Sequence, residues 1–253
     1  MLDWLERDIA TRHIVLISKP PAPSVVDQIT EFIRRSSKSY TVCLVGSDNL
    51  ALPDNAKLTT TLKDAAATAV TNSKGLEALP AVQRAPVAGS YVRGLYSGGT
   101  LAAEAQVVFL SHGQPVLSNA PVPGAGLFTS ERANHIMIDL GDDRFTRGRP
   151  HPMIDPAVRD EPICAALSDP DVGVVLLDVV IGFGAHADPA GHLAGLLDRH
   201  GRSGSVVIAS VTGTDEDPQV RARQVSVLER AGVVVAPSNA DAAELALACL
   251  NVG

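Results

Sequence analysis

This sequence predicts an open, doubly wound α/β domain with a flavodoxin-like parallel sheet, preceded by a partial copy of the same unit. Three observations carry that reading. Val172 to Ile181 is a near-continuous apolar run, as expected of a parallel strand covered on both faces. Strand and helix patterns alternate from about residue 90 onward. The first 75 residues then repeat part of that second pattern.

In the larger unit, Tyr91–Tyr96 reads as a strand, and Ser97-Gly98-Gly99-Thr100-Leu101 as the turn into a helix over Thr100 to Leu110. His135–Leu140 is the next strand and Val172–Ile181 the one after it. Helix 189–200, strand Ser205–Ser210, helix Pro218–Ala231 and strand Val233–Ala236 follow. Asn239 or Asp241 caps a last helix that ends at Leu250. Between these elements, Gly113 to Thr129 is rich in Pro and Gly and long for a connection, so it reads as a functional loop or a poorly ordered one.

In the smaller unit, His13–Ser18 matches the strand at 174–177, Ser24–Arg35 matches the helix 189–200, and Thr41–Gly46 matches Ser205–Ser210. Asp64-Ala65-Ala66 and Asp241-Ala242-Ala243 open corresponding helices. The expected division is a partial α/β unit at 1–75, a linker at 76–90 and a full domain at 91–253. The first copy lacks counterparts of the strands at 91–96 and 135–140, and a sheet of about three strands is marginal alone. Docking on the second domain or completion by a partner chain would supply the rest.

With 253 residues, the chain buries roughly 70–75% of its unfolded surface, enough for a sizeable core. A net charge of −7 with scattered Lys and Arg argues against a nucleic-acid partner. The charged start Met1-Leu2-Asp3-Trp4-Leu5-Glu6-Arg7-Asp8 does not read as a signal peptide, and the longest apolar stretch is too short for a bilayer. Cys43, Cys164 and Cys249 stand far apart, which suggests reduced core residues and a cytoplasmic protein.

Chemistry is expected where strands end and helices begin. Ser97, Gly98, Gly99 and Thr100 offer helix-terminal amides and hydroxyls to a phosphate or carboxylate. Gly182, Gly184 and His186 form a second such turn, and Lys19 sits in a third, where a solvated charge explains it as well. Residues 139–156 hold four carboxylates, three arginines and one histidine. Arg147 and Arg149 suit bidentate anion binding. His151, flanked by Pro150 and Pro152, suits proton transfer or nucleophilic attack, with Asp155 beside it. A surface loop laced with ion pairs is the plainer alternative. Asp139, Asp142 and Asp143 suit either Mg²⁺ or turn caps, and Asp178 is either a buried hydrogen-bonded group or a coupled carboxylate. No metal site with Cys is expected.

The runs Arg93–Leu101, Asp139-Leu140-Gly141-Asp142-Asp143, 148–156, 184–190 and Ile17–Pro23 together resemble the FdrA family, relatives of the succinyl-CoA synthetase α subunit (acyl-CoA synthetase, NDP-forming). The resemblance covers nearly the whole chain. It implies succinyl-CoA-ligase-like domains, whose usual companion is a CoA-binding Rossmann domain that has no counterpart here. The Ser97–Leu101 turn is similar to the ligases' Ser-Gly-Thr-Leu junction, where helix N-termini stabilise a phosphoryl group. The ligases' phosphohistidine loop corresponds to Val211–Gln219, which contains no histidine. The resemblance therefore implies a subunit of an acyl- or carbamoyl-transferring enzyme of the oxamate carbamoyltransferase type, in purine-nitrogen catabolism. Its alternatives are an NDP-forming acyl-CoA ligase subunit and a non-catalytic assembly subunit. CoA or Mg²⁺ would come through hetero-oligomeric partner subunits.

Overall fold

The computed structural model describes residues 1–47, 49–70, 87, 89–129, 134–201 and 204–250. Two compact units divide the chain, Met1–Leu76 and Glu77–Gly253. Most of the linker expected at 76–90 lies outside the described residues; Ser90 and Tyr91 donate to the Asp171 carbonyl.

The smaller unit contains α1 (Leu2–Arg7), β1 (His13–Ser18), α2 (Pro23–Arg35), β2 (Ser39–Leu44), β3 (Ala56–Thr59) and α3 (Leu62–Ala69). Its parallel sheet runs β1-β2-β3. Proline at the start of α2 presets helical φ, and Thr61 caps α3 by accepting from the Asp64 amide at 3.0 Å. Ile14, Ile33, Tyr40, Val42 and Leu44 form its core.

The larger unit begins with β4 (Tyr91–Tyr96), α4 (Gly99–Ser111), β5 (Val116–Ser118), β6 (Gly126–Leu127) and β7 (His135–Asp139). A short helix α5 (Asp143–Thr146), a 3₁₀ turn (Pro156–Arg159) and α6 (Asp160–Ser168) lead to β8 (Val172–Val180). Then come α7 (Pro189–His200), β9 (Val206–Thr212), α8 (Arg221–Arg230), β10 (Val234–Ala236) and α9 (Asn239–Leu250). Seven parallel strands are ordered β10-β9-β8-β4-β7-β5-β6. One face of the sheet packs on α4 and α9 through Val92, Tyr96, Phe109, Leu176, Ile208 and Leu247. The other packs on α6, α7 and α8 through Leu95, Ile163, Leu177, Leu193, Val211 and Leu228.

The doubly wound parallel fold holds. The expected loop at 113–129 is instead built around β5 and β6, which extend the sheet edge: β5 pairs with β7, and β6 with β5. Helix α8 starts at Arg221 rather than Pro218, because Val220 sits at φ 57 and breaks the helical path before it.

Helix α4 carries the chain from β4 towards β5, beyond β7 in the sheet, whereas α7 carries it from β8 to β9 on the opposite side. Winding therefore reverses between the neighbouring strands β4 and β8, and a crevice is expected beyond their carboxyl ends.

Candidate functional site

Asp178 lies on β8 beneath that reversal, fully buried. It accepts from the Ser97 amide through Oδ1 at 2.8 Å and from the Ser97 hydroxyl through Oδ2. The Arg159 guanidinium, also buried, donates to the same Oδ1 at 2.8 Å and to the Asp178 carbonyl at 3.0 Å. A buried carboxylate is tolerable only when paired and hydrogen-bonded in this way. Asp178 thus takes the structural role, and it ties the end of β4 to β8. Beside it, burial pushes the Tyr96 phenol well above its ordinary pKa, and the Asp178 and Glu104 carboxylates add to that rise.

The network alters what Ser97 can do. Both of its donors are spent on Asp178, so it anchors the turn and offers no hydrogen to a ligand. The donors left are those of the first turn of α4. Its N-cap, Gly98, supplies no side-chain bond, and a methyl group built on Gly98 would meet open space.

The other helix starts at this sheet edge are filled by the protein's own groups. Asp142 accepts from the Arg144 amide at α5, and Asp155 from the Ala157 amide at the 3₁₀ turn that leads into α6. At α7, Asp188 accepts from Gly191 and Gln224 from Ala190. Asp215 accepts from Ala222 at α8, and Ser238 from Asp241 at α9. Among the described residues, the expected cluster of anion-receiving helix ends reduces to α4. Asp155 thus caps the 3₁₀ turn through Oδ1. Gly182 is closed as well, since its amide donates to the Gln219 amide oxygen at 3.1 Å, while the side-chain nitrogen of Gln219 binds the Gly182 and His186 carbonyls at 3.0 Å each. Gly184, at φ +83, keeps open space beside it.

His151 meets the α4 turn at Gly141. A Cβ built on Gly141 would lie 2.6 Å from His151 Nε2 and 2.7 Å from the Ser97 carbonyl oxygen. Glycine is required there by close approach, and across it His151 of the 148–156 segment meets the 97–101 turn. The Met153 amide donates to His151 Nδ1 at 3.2 Å. In the neutral ring the hydrogen therefore sits on Nε2, and His151 presents a donor. His186 is arranged alike: the Asp188 amide donates to its Nδ1 at 3.1 Å. Its own amide donates to the Met153 carbonyl at 2.8 Å, which joins the two loops. The His192 ring lies edge-on to His186 at 6.2 Å and bonds Asp160 at 2.7 Å.

The arginines lie elsewhere. Arg147 and Arg149 line a pocket with Phe145 and Glu161, and Ser97, Gly141, His151 and His186 are not among its lining residues. Asp139, Asp142 and Asp143 do not gather as Mg²⁺ ligands. Asp139 accepts from the Gly141 amide and Asp142 caps α5; among the described residues no group of three His, Cys, Asp or Glu is arranged to hold a metal.

The sequence matches the family described as CoA-ligase over residues 95–249. The chain belongs to the CoA-ligase family. It is 34% identical over 272 residues to the uncharacterized protein YahF of Escherichia coli (strain K12), covering 97% of this chain and 52% of YahF, so it spans about half that relative's length. Among solved structures it is similar to the dinucleotide-forming acetyl-coenzyme A synthetase 1 of Ca. Korarchaeum cryptofilum, in its apo form and in complex with phosphate and ADP. Each has a TM-score of 0.42 at 15% identity, covering 98% of this chain and 55% of the other. The FdrA-type, succinyl-CoA-ligase-like character read from the sequence stands.

In this CoA-ligase-family chain the loop after β9 carries carboxylates. Asp217 accepts from the Thr214 amide at 2.6 Å, and Arg221 Nε donates to the Val211 carbonyl at 3.2 Å. Sequence reading missed Arg159, Gly141 and Gln219. The only trace of Arg159 was indirect: a carboxylate in an apolar strand needs a cation somewhere. Among the described residues no helix is long and apolar enough to cross a membrane.

Proposed function

We propose that this chain is the anion-binding part of an FdrA-type enzyme that transfers an acyl or carbamoyl group from a phosphate-bearing small molecule, of the oxamate carbamoyltransferase type in purine-nitrogen catabolism. The observation that carries the reading is the meeting of His151 Nε2 with the Ser97 turn at Gly141, the turn that leads into an α4 start with no side-chain cap. Phosphate oxygens accept from the first-turn amides of α4 and from the Thr100 hydroxyl, favoured by the helix dipole. An acceptor's N–H nitrogen attacks the carbonyl carbon of carbamoyl phosphate and forms the new C–N bond. The C–O bond to phosphate breaks, the leaving phosphate keeps the electron pair, and the nitrogen gives up its proton to that phosphate. His151, as an Nε2–H donor, serves the oxygen on which charge develops.

CoA, when bound, would supply a thiol as acceptor; no step here passes through it. The carboxylates described do not suit Mg²⁺, so any such ion would come with partner subunits. A second reading, an NDP-forming acyl-CoA ligase subunit, draws on the family match over residues 95–249.

Calorimetry and thermal unfolding with phosphate and carbamoyl phosphate test the proposal. At 100 times its dissociation constant, a ligand should stabilise the fold by about 2.7 kcal/mol, and His151→Ala should abolish turnover of carbamoyl phosphate by the assembled enzyme. Thioester formation with CoA, without carbamoyl phosphate turnover, would favour the ligase reading. Full activity of His151→Ala in every assay would leave an assembly subunit.

A further inference from the structure

We infer that the outer edge of β1 docks a strand–helix unit of a separate polypeptide, its strand parallel to β1 and its helix against α3. Among the described residues β1 has β2 on one side and no strand on the other. Its sequence, His13-Ile14-Val15-Leu16-Ile17-Ser18, holds no proline and no Lys, Asp or Glu, the residues that ordinarily blunt a bare edge.

Side chains alternate along β1. Ile14 and Leu16 enter the core shared with Ile33 of α2, to which α3 contributes nothing. Val15 and Ile17 face the other way. Their neighbours across the ladder, Thr41 and Cys43, are fully buried, and α3 packs on β2 and β1. Helix α3 thus covers that face over β2 and leaves it open over β1, where Val15 and Ile17 are 42% and 48% exposed.

The chain contains its own template for what belongs there. In the larger unit β8 holds the place of β1, and β4 pairs with it in parallel on the side away from β9. Helix α4, which follows β4, packs on α9. Val174 and Leu176 of β8 are buried with both helices in one core. Asp64-Ala65-Ala66 of α3 matches Asp241-Ala242-Ala243 of α9. Ala243 is fully buried, whereas Ala66 is exposed. So β1 and α3 are bare at the two surfaces that β4 and α4 cover on β8 and α9. In a second copy of this chain β4 and α4 are already spent in that way, which points to a separate polypeptide as the source. YahF, of which this chain spans about half, is long enough to contain such a unit. The inference does not rest on the proposed chemistry, which lies in the larger unit.

Co-expression of the full chain with the part of YahF that it does not span tests it. Sedimentation should show a one-to-one complex, and hydrogen exchange should slow in β1 and α3 but not in β3, which ends its sheet as β10 does. Val15→Lys/Ile17→Lys should weaken the complex at least about tenfold, as expected when two apolar side chains lose their burial. Both positions are exposed, so the variant should keep the wild-type circular dichroism. Lys57→Glu, on β3, should leave the complex unchanged. Absence of a complex with the wild-type chain would overturn the inference. So would a complex untouched by the double lysine variant, or self-association of the wild type that the same variant abolishes. Orthophosphate binding reads the larger unit and should be the same in both variants, so a failure here leaves the proposed function standing.

Discussion

In the smaller unit β1 pairs with β2 alone among the described strands, whereas β8, at the matching place in the repeat, has β9 on one side and β4 on the other. The difference is visible residue by residue. Val15 and Ile17 on β1 are 42% and 48% exposed, while β8 is buried from Val172 to Val179. It also decides where chemistry can lie. A winding reversal needs a strand with neighbours on both sides whose connections run apart, and of the two sheets only the larger has one. The same βαβ plan is a plain scaffold in one half and carries a winding reversal in the other because of the strands added beside it.

The sharpest way to break this comparison is Asp178→Ala, which strands the buried Arg159 charge and frees the Ser97 turn. It should cost about 3–5 kcal/mol in urea unfolding of the larger unit, with Asp178→Asn milder because its oxygen still accepts from the Ser97 amide. A loss under about 1 kcal/mol would mean that the network holds nothing.

A paired test of the strands comes next. Leu177→Ala in β8 should cost about 2–5 kcal/mol, and Ile17→Ala in β1 no more than about 1 kcal/mol. Equal losses would show that β1 is covered as β8 is.

Gly141→Ala forces a methyl group against His151 and the Ser97 carbonyl. The expected cost is about 1–3 kcal/mol, together with weaker phosphate binding by calorimetry. Unchanged phosphate affinity would separate the two loops functionally.

The smallest effect concerns pH. Burial, then the Arg93 charge, lowers the His135 pKa in the folded chain. The unfolded chain therefore takes up the proton first, and stability is lost as pH falls through the ordinary histidine range near 6.5 and down to the lowered folded value. His135→Gln should remove that part of the slope in unfolding measured between pH 7.5 and 5.5, while the wild-type profile keeps it.

Much of the fold was legible because its signals are local. The apolar run of β8 declared a doubly covered strand almost to the residue. Strands β5 and β6 were not legible: Pro115, Pro121 and Pro123 read as loop, and pairing with β7 makes the strands. Helix α6 was hidden by Pro156 and Pro162, and β3 by its brevity. At the site, the α4 turn and His151 could be read as types and positions. The use of Ser97 could not, since the carboxylate that consumes both its donors lies 81 residues away. That Asp155 and Asp188 also cap helix starts could not be read from the letters; only the amides that they meet show it.

The main-chain grip on the inner nitrogens of His151 and His186 has one more consequence. Each imidazole is addressed by its own backbone two residues on, and no acidic side chain is needed to choose its proton-bearing edge. A ring oriented this way keeps its polarity whatever surface is brought against the crevice, so different companions could be exchanged around it without rewiring the donor.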